Sequence, residues 1–132
     1  MIPAPDVSLR VLRDADHPKG SRSEVVIGGR GTGEAMTGCV LEGAWRPASG
    51  GVLVAATCDC PFEELVTFLW LREGRRRAEA RLGVIYTAGL FELIEAQGDA
   101  LRFAFFGKDR WVLRARDVRW PRRALTLEEE GA

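Results

Sequence analysis

Hydrophobic and polar residues alternate most regularly near the end of the chain, over residues 101–116, which read LRFAFFGKDRWVLRAR. Alternation with a period of two is typical of a half-buried antiparallel pair, because successive side chains point to opposite faces of a strand. A three-residue turn at residues 107–109 therefore predicts a hairpin with one apolar face. The pairs predicted across it are Phe105 with Trp111, Phe103 with Leu113, Leu101 with Ala115 and Arg102 with Arg114.

Strand-length patterns recur along the rest of the chain, separated by segments rich in Gly, Pro, Ser and Asp. Residues 7–11 alternate, and residues 52–57 form a wholly apolar run. About eight or nine such strands predict an all-β fold, a small antiparallel meander barrel or a sandwich with at most one short helix. We expect one β-rich domain over residues 1–132, with loosely ordered ends at residues 1–6 and 122–132.

Residues 59–83 fit two structures. As a hairpin, the segment would turn at residues 72–75 and face Ala78, Ala80 and Leu82 inward. As a helix, it would be capped by its first acidic residue and ended by its final glycine. The hairpin is favoured because the LVTFLWL stretch is apolar all round rather than amphipathic, and because a glycine falls in mid-segment.

Two nearby segments, residues 61–64 and residues 90–96, also carry helix-like patterns. The one short helix that the pattern allows is a single turn at residues 61–64, ahead of the hairpin. Residues 90–96 also carry a helix-like stripe, but a turn at residues 97–99 leads directly into the next strand. Residues 90–96 are therefore predicted to form a strand.

The composition is that of an ordinary globular protein, with 46% hydrophobic and 29% charged residues, and with 19 basic and 19 acidic side chains. No run of roughly 18 apolar residues occurs, so no membrane-spanning helix is expected. The opening MIPAPDVSLR lacks a basic region followed by an apolar stretch. A cytoplasmic location without a membrane partner is therefore expected.

The glycine-rich GGRGTG at residues 28–33 has G-x-G-x-G spacing, whereas a dinucleotide site needs G-x-G-x-x-G at the start of a helix. The EAMTGCVLEG that follows makes a poor helix, since two further glycines interrupt it. The segment is expected to be a flexible hairpin loop, and no cofactor is predicted.

Metal and catalytic chemistry would have to use a small set of residues. Cys39, Cys58 and Cys60 are weak metal candidates, with His17 as a fourth ligand, but their spacing matches no common zinc module. No metal is predicted, and the cysteines are expected to be small side chains at a strand end. An enzyme using Cys58 and Cys60 is kept as an alternative, with no catalytic residue assigned because no nucleophile adjoins the lone histidine.

The tripeptide Gly43-Ala44-Trp45 resembles the G-x-W near the start of lipocalin-like barrels, in which the Trp packs against a late Arg. The resemblance covers three residues, and Arg114 or Arg116 would be the late arginine. It implies a small-molecule-binding barrel. The cavity of such a barrel would be lined by Trp45, Phe68, Tyr86 and Phe103.

The C-terminal hairpin and the segment after it are rich in arginine, since residues 101–123 hold eight basic side chains against two acidic ones. Arg102, Arg114 and Arg116 fall on the hairpin side away from the apolar face. Further arginines at positions 119, 122 and 123 lie nearby in the sequence. The residues predicted to bind a partner are Arg102, Arg110, Trp111, Arg114 and Arg116, with Tyr86 as an additional ligand contact.

These features predict a non-enzymatic binding module, of the kind found among small bacterial accessory or adaptor proteins. Its partner is expected to be another protein or a second copy of the chain, because Arg and Trp dominate interface energetics. A small-molecule-binding barrel and a single-strand nucleic-acid-binding barrel are alternatives. Nucleic acid is the less favoured partner, since the pI of 6.6 is not that of a basic domain.

Overall fold

Strands in three antiparallel sheets make up a computed structural model that describes residues 1–58, 63–85, 91–105, 109–119 and 122–130. No helix occurs in those residues, and the sheets pack as in a sandwich without closing into a barrel. The all-β prediction is confirmed, and of its two architectures the sandwich is observed. The strands are β1 (Ile2–Pro3), β2 (Val7–Arg13), β3 (Arg22–Ile27), β4 (Arg30–Thr37), β5 (Val40–Arg46), β6 (Val52–Thr57), β7 (Glu63–Arg72), β8 (Arg75–Ile85), β9 (Glu92–Gln97), β10 (Ala100–Ala104), β11 (Arg110–Ala115) and β12 (Leu125–Glu129).

The central layer is a five-stranded sheet in the order β1-β5-β6-β7-β8. One of its faces packs against a four-stranded sheet, β12-β11-β10-β9, and the other against a three-stranded sheet, β2-β3-β4. Because both faces are covered, all six residues of β6 are buried, which explains why VLVAAT shows no alternation.

Aromatic rings fill the space between the central sheet and the four-stranded sheet. Phe68 of β7 lies 5.1 Å from Phe103 of β10, measured between ring centroids, and Phe91 lies 5.2 Å from Phe103. Trp45 closes the cluster at 6.4 Å from Phe91. These rings contact one another directly, so they form a packed core.

A second core lies between the central sheet and the three-stranded sheet. It joins alternate residues of β6 and β7 to Val25 of β3 and Met36 of β4, both fully buried. Leu69 and Leu71 of β7 face this core, whereas Phe68 and Trp70 face the first one. This division is the reason that LVTFLWL is apolar on both sides.

The hairpin predicted within residues 59–83 is confirmed, as β7 and β8 pair along their length. Glu73 and Gly74 form a two-residue turn with φ angles of 56° and 76°, the positive pair that a type I′ turn requires. Ala78, Ala80 and Leu82 pack against the first core, as predicted. The predicted helical turn at residues 61–64 is not observed where the structure is described, because β7 already begins at Glu63.

The C-terminal hairpin is present, but its predicted register is wrong by two residues. Phe103 lies opposite Trp111, and Arg102 lies opposite Val112 rather than Arg114. The connection closes one residue earlier than predicted, since the amide of Phe105 donates to the carbonyl of Asp109 at 3.0 Å. A slip of two residues preserves the face of every side chain, so the predicted apolar face remains inside.

Three further predictions concern the glycine-rich segment, the ends of the chain and residues 90–96. In the glycine-rich segment, Gly28 and Gly29 make a tight turn, and β4 begins at Arg30, so the predicted flexible loop is reduced to two residues. Within the end segments expected to be loosely ordered, Ile2–Pro3 forms β1 and Leu125–Glu129 forms β12, and how loosely those ends are held stays a prediction. Residues 92–97 form β9, which agrees with the strand predicted over residues 90–96.

Candidate binding surface

The outer face of the C-terminal hairpin carries Arg102 and Arg114, and both are paired with carboxylates. Arg102 Nη1 donates to Glu95 Oε2 of β9 at 3.1 Å, and the same guanidinium also bonds Glu130 beyond β12. Arg114 Nη1 lies 3.4 Å from Glu128 Oε2 of β12. Strands on either side thus neutralise this face. Hydrogen bonds to Glu130, and then to Glu95, raise the pKa of Arg102 further above its ordinary value.

The aromatic residues predicted to bind a partner do not join this face. Trp111 points to the inner side of the sheet, where it is half-buried against the first core. Its indole Nε1 is buried and has no acceptor in the part of the chain that the structure describes. Tyr86 lies outside the described residues, so the contact predicted for it remains a prediction.

Arg110 and Arg116 lie at opposite ends of β11 and are exposed. At about 3.3 Å per residue, six residues of strand separate them by roughly 20 Å. Neither forms an ion pair with any residue whose position is described. The predicted binding arginines therefore belong to three places rather than one patch.

The connection between β11 and β12, residues 116–124, is strongly basic but contains one acidic residue, Asp117. The Asp117 carboxylate lies 3.3 Å from Arg72 Nη1 and 3.7 Å from Arg77 Nη2, both on the β7–β8 hairpin. Asp117 therefore neutralises arginines of another element and leaves those of its own connection uncompensated.

Backbone contacts hold both ends of this connection. The amide of Arg116 donates to the carbonyl of Ala124 at 2.7 Å, and the guanidinium of Arg77 bonds the carbonyl of Val118. Ala124 and the following Leu125 are buried in the first core. The connection is thereby fixed at its base while its arginine side chains stay exposed.

Three arginines of the connection line one pocket of about 380 Å³, which we call the arginine pocket. Its described lining contains no carboxylate. The lining residues are Arg116, Val118, Arg122, Arg123 and Thr126.

A larger groove of about 720 Å³ lies between β8 and β12, and we call it the β8–β12 groove. It adjoins the arginine pocket, because Arg123 and Thr126 line both. The other lining residues are Glu79, Ala80 and Arg81 of β8, and Leu125, Leu127 and Glu128 of β12.

The charges of the groove are balanced except at Arg123. Arg81 Nε donates to Glu79 Oε1 at 2.6 Å, and Glu128 lies beside Arg114. Arg123 forms no ion pair with a residue of the described ranges, so it gives the pocket end of the groove a net positive charge.

The two strands that border the groove are both at sheet edges. β8 ends the five-stranded sheet and β12 ends the four-stranded sheet, so each pairs on one side only among the strands described. The backbone N–H and C=O groups along such an edge can pair with another strand. The groove therefore combines two open edges with a partly apolar lining.

The weak metal candidates do not form a site in the described part of the chain, where no group of three or more His, Cys, Asp or Glu side chains is close enough to hold an ion. Cys39 Sγ lies 3.6 Å from the carbonyl oxygen of Cys58, whereas Cys60 lies outside the described residues. His17 is exposed in the β2–β3 loop, where its Nδ1 accepts a bond from the Lys19 amide at 3.0 Å.

The G-x-W segment also has a structural explanation. Trp45 lies over Gly43, where an added Cβ would come within 2.5 Å of the indole ring. Trp45, Phe68 and Phe103, three of the four residues predicted to line a ligand cavity, are buried in the first core instead. This packing favours a filled core over the lipocalin-like alternative.

Comparisons with protein-family models, curated proteins and solved structures find no match to this chain. Within the described ranges, no helix is long and apolar enough to cross a membrane.

The sequence indicates the basic connection but not the groove. Arg122 and Arg123 stand out only as sequence neighbours of the hairpin, and Arg81, Leu125 and Thr126 carry no signal as binding residues. The alternation of Leu125 and Leu127 with polar residues could have indicated a final strand.

Proposed function

We propose that this protein is a non-enzymatic binding module that holds an extended segment of a partner protein in the β8–β12 groove. The observation that carries the proposal is that two open sheet edges border one groove, whose pocket end is basic. The C-terminal region stays the contact surface, but its β12 edge replaces the outer face of the hairpin.

Strand addition is the mode of binding that this groove favours. An extended segment gains main-chain hydrogen bonds from an open edge, and its alternate side chains contact the surface on which it lies. Ala80 and Leu127, which are only partly buried, offer that segment apolar contacts. Arg123 favours an acidic residue at the pocket end, because its charge has no partner in the described structure.

The outer face of the hairpin is less suited to this role. The guanidiniums of Arg102 and Arg114 are already bonded to glutamates, and a partner would have to replace those contacts. A single-strand nucleic-acid site would add aromatic stacking platforms to its arginines. The described lining of the groove and pocket contains no aromatic residue.

A displayed library of random peptides tests the proposal. Selection against the protein should enrich peptides that combine an acidic residue with an alternating apolar segment. Arg123→Glu should weaken the best of these by about tenfold or more, because like charges then face each other. Arg110→Glu is the matched control, since Arg110 is exposed at the far end of β11.

Backbone pairing is tested by methylating alternate peptide nitrogens, which removes donors without changing side chains. Methylation on one of the two alternating sets should abolish binding. Failure to enrich any peptide, or equal effects of Arg123→Glu and Arg110→Glu, would contradict the proposal.

A further inference from the structure

We infer that the arginine pocket binds a phosphate monoester, carried as a phosphorylated side chain on the segment that occupies the β8–β12 groove. The inference rests on the proposed function for its peptide context. The pocket itself is a separate feature, because Arg116, Arg122 and Val118 line it without lining the groove.

The charge of the pocket selects an anion. Arg116, Arg122 and Arg123 bring three positive charges to one lining that has no described carboxylate. Asp117, the one acidic residue of the same connection, is held by Arg72 and Arg77 on its other side. The positive charge is therefore available to a ligand.

The number and type of donors favour phosphate over carboxylate. A phosphate monoester carries close to two negative charges near neutral pH and three strong acceptor oxygens, whereas a carboxylate offers one charge and two oxygens. Guanidinium groups match phosphate oxygens with paired N–H donors. Thr126 lines the same pocket, and a threonine hydroxyl can donate to a phosphate oxygen.

The position of the pocket explains why the phosphate belongs to a polypeptide. Arg123 and Thr126 line both cavities, so a segment lying along β12 passes the mouth of the pocket. A phosphorylated Ser or Thr in that segment would place its phosphate among the arginines while its backbone stays in the groove.

The backbone beside the pocket is held by contacts at two points. The connection is anchored at both ends, by the Arg116–Ala124 backbone bond and by the Arg77 bond to the Val118 carbonyl. An anchored connection loses less conformational entropy on binding than a free loop does.

Phenyl phosphate, a small phosphate monoester, tests the pocket without any peptide. In a titration followed by amide NMR, it should shift the amides of Arg123 and Thr126. The Arg116→Gln/Arg122→Gln variant should weaken its binding about tenfold, because two charge-assisted donors are lost. Arg110→Gln is the control and should bind like wild type. No shift at these amides, or equal binding by both variants, would overturn the inference.

A pair of synthetic peptides separates this inference from the proposed function. The library-selected peptide is compared in two forms, one with its selected carboxylate and one with phosphoserine at that acidic position. The phosphorylated form should bind about tenfold more tightly to wild type, and nearly all of that gain should vanish in Arg116→Gln/Arg122→Gln. Equal affinities of the two peptides would overturn the phosphate site and leave the groove intact.

A single-stranded oligothymidylate is the third ligand to test, because its phosphodiester oxygens can also accept hydrogen bonds from arginines. It should bind more weakly than the phosphopeptide. Tighter binding that falls steeply with salt would overturn the inference and assign the arginines to nucleic acid.

Discussion

Phe68 on β7 and Phe103 on β10 lie with their ring centroids 5.1 Å apart, and both rings are fully buried. β7 belongs to the central sheet and β10 to the C-terminal sheet, so this contact joins the two layers. The groove between β8 and β12 lies where the edges of the same layers meet. The proposed binding site therefore lies between the same two sheets that this contact joins.

Truncating either ring should destabilise the protein strongly. Phe68→Ala and Phe103→Ala should each lower the free energy of unfolding by about 3–5 kcal/mol, since each leaves a cavity in a packed core. Urea denaturation measures the change, with the milder Phe68→Leu available where an alanine variant does not fold. Leu12→Ala, at a position 51% exposed, is the control. A loss below about 1 kcal/mol for Phe103→Ala would contradict the assigned core.

Two tryptophans give a matched test of the hydrogen bonding around the first core. Trp70 is fully buried and its Nε1 donates to the carbonyl of Gly50 at 2.9 Å, whereas the Nε1 of Trp111 meets no described acceptor. Trp70→Phe should cost about 1–3 kcal/mol, and Trp111→Phe should stay within about 1 kcal/mol of wild type, because losing an unpaired buried donor offsets the lost contacts. Thermal and urea unfolding check the difference. Equal costs would show that Trp111 has a partner.

Substitutions at Glu73 and Gly74 distinguish the observed hairpin from the helix that the sequence of residues 59–83 also allows. Gly74→Ala should destabilise the protein by about 1 kcal/mol, because alanine is strained at a φ of 76°. Glu73→Asn should raise the melting temperature slightly, since asparagine tolerates positive φ better than glutamate does. Calorimetry measures both variants. Stabilisation by Gly74→Ala is the result expected of a helix, and it would contradict the hairpin.

Acid should weaken the fold through carboxylates paired with arginines. The hydrogen bond from Arg10, and then that from the Gly33 amide, hold the pKa of Glu24 below its usual range, and Arg46 does the same for Asp6. A carboxyl whose folded pKa is depressed adds stability above its unfolded pKa, and this stability is lost as pH falls through the folded value. The free energy of unfolding should therefore decline below about pH 4.5.

Substitutions in the Arg10–Glu24 pair test whether this interaction causes the loss of stability in acid. Glu24→Gln should make the decline shallower, and Arg10→Gln should do so too because it removes the largest cause of the shift. The double variant should lose little more than either single one, since both act on one interaction. Urea unfolding between pH 3 and 7 supplies the data. An unchanged slope in Glu24→Gln would contradict the assignment.

Local patterns predicted most of the strands because alternation and turn chemistry act over a few residues. They left the register of the C-terminal hairpin open, since a turn at residues 107–109 and a connection closed one residue earlier, between Phe105 and Asp109, fit the same alternation. Only packing of the inward side chains against the central sheet distinguishes registers that share one set of faces.

The candidate site could be predicted only in part because charge partners come from distant strands. The sequence shows Arg102 and Arg114 as a basic face, but Glu95 and Glu128 reach it only once β9 and β12 have paired with the hairpin. Residues 122–132 were expected to be loose, so neither these partners nor the edge that borders the groove was foreseen. Non-local pairing of this kind leaves no short-range signal.

Amide NMR mapping with the library-selected acidic peptide locates the contact on this protein without assuming a natural partner. The largest shifts should fall on Arg81, Arg123 and Thr126, along the β8–β12 groove. The amide of Leu93 should change little, because β9 is the opposite edge of the sheet that ends in β12. Largest shifts at Leu93, or on the outer face around Arg102, would contradict the assignment of the groove as the binding surface.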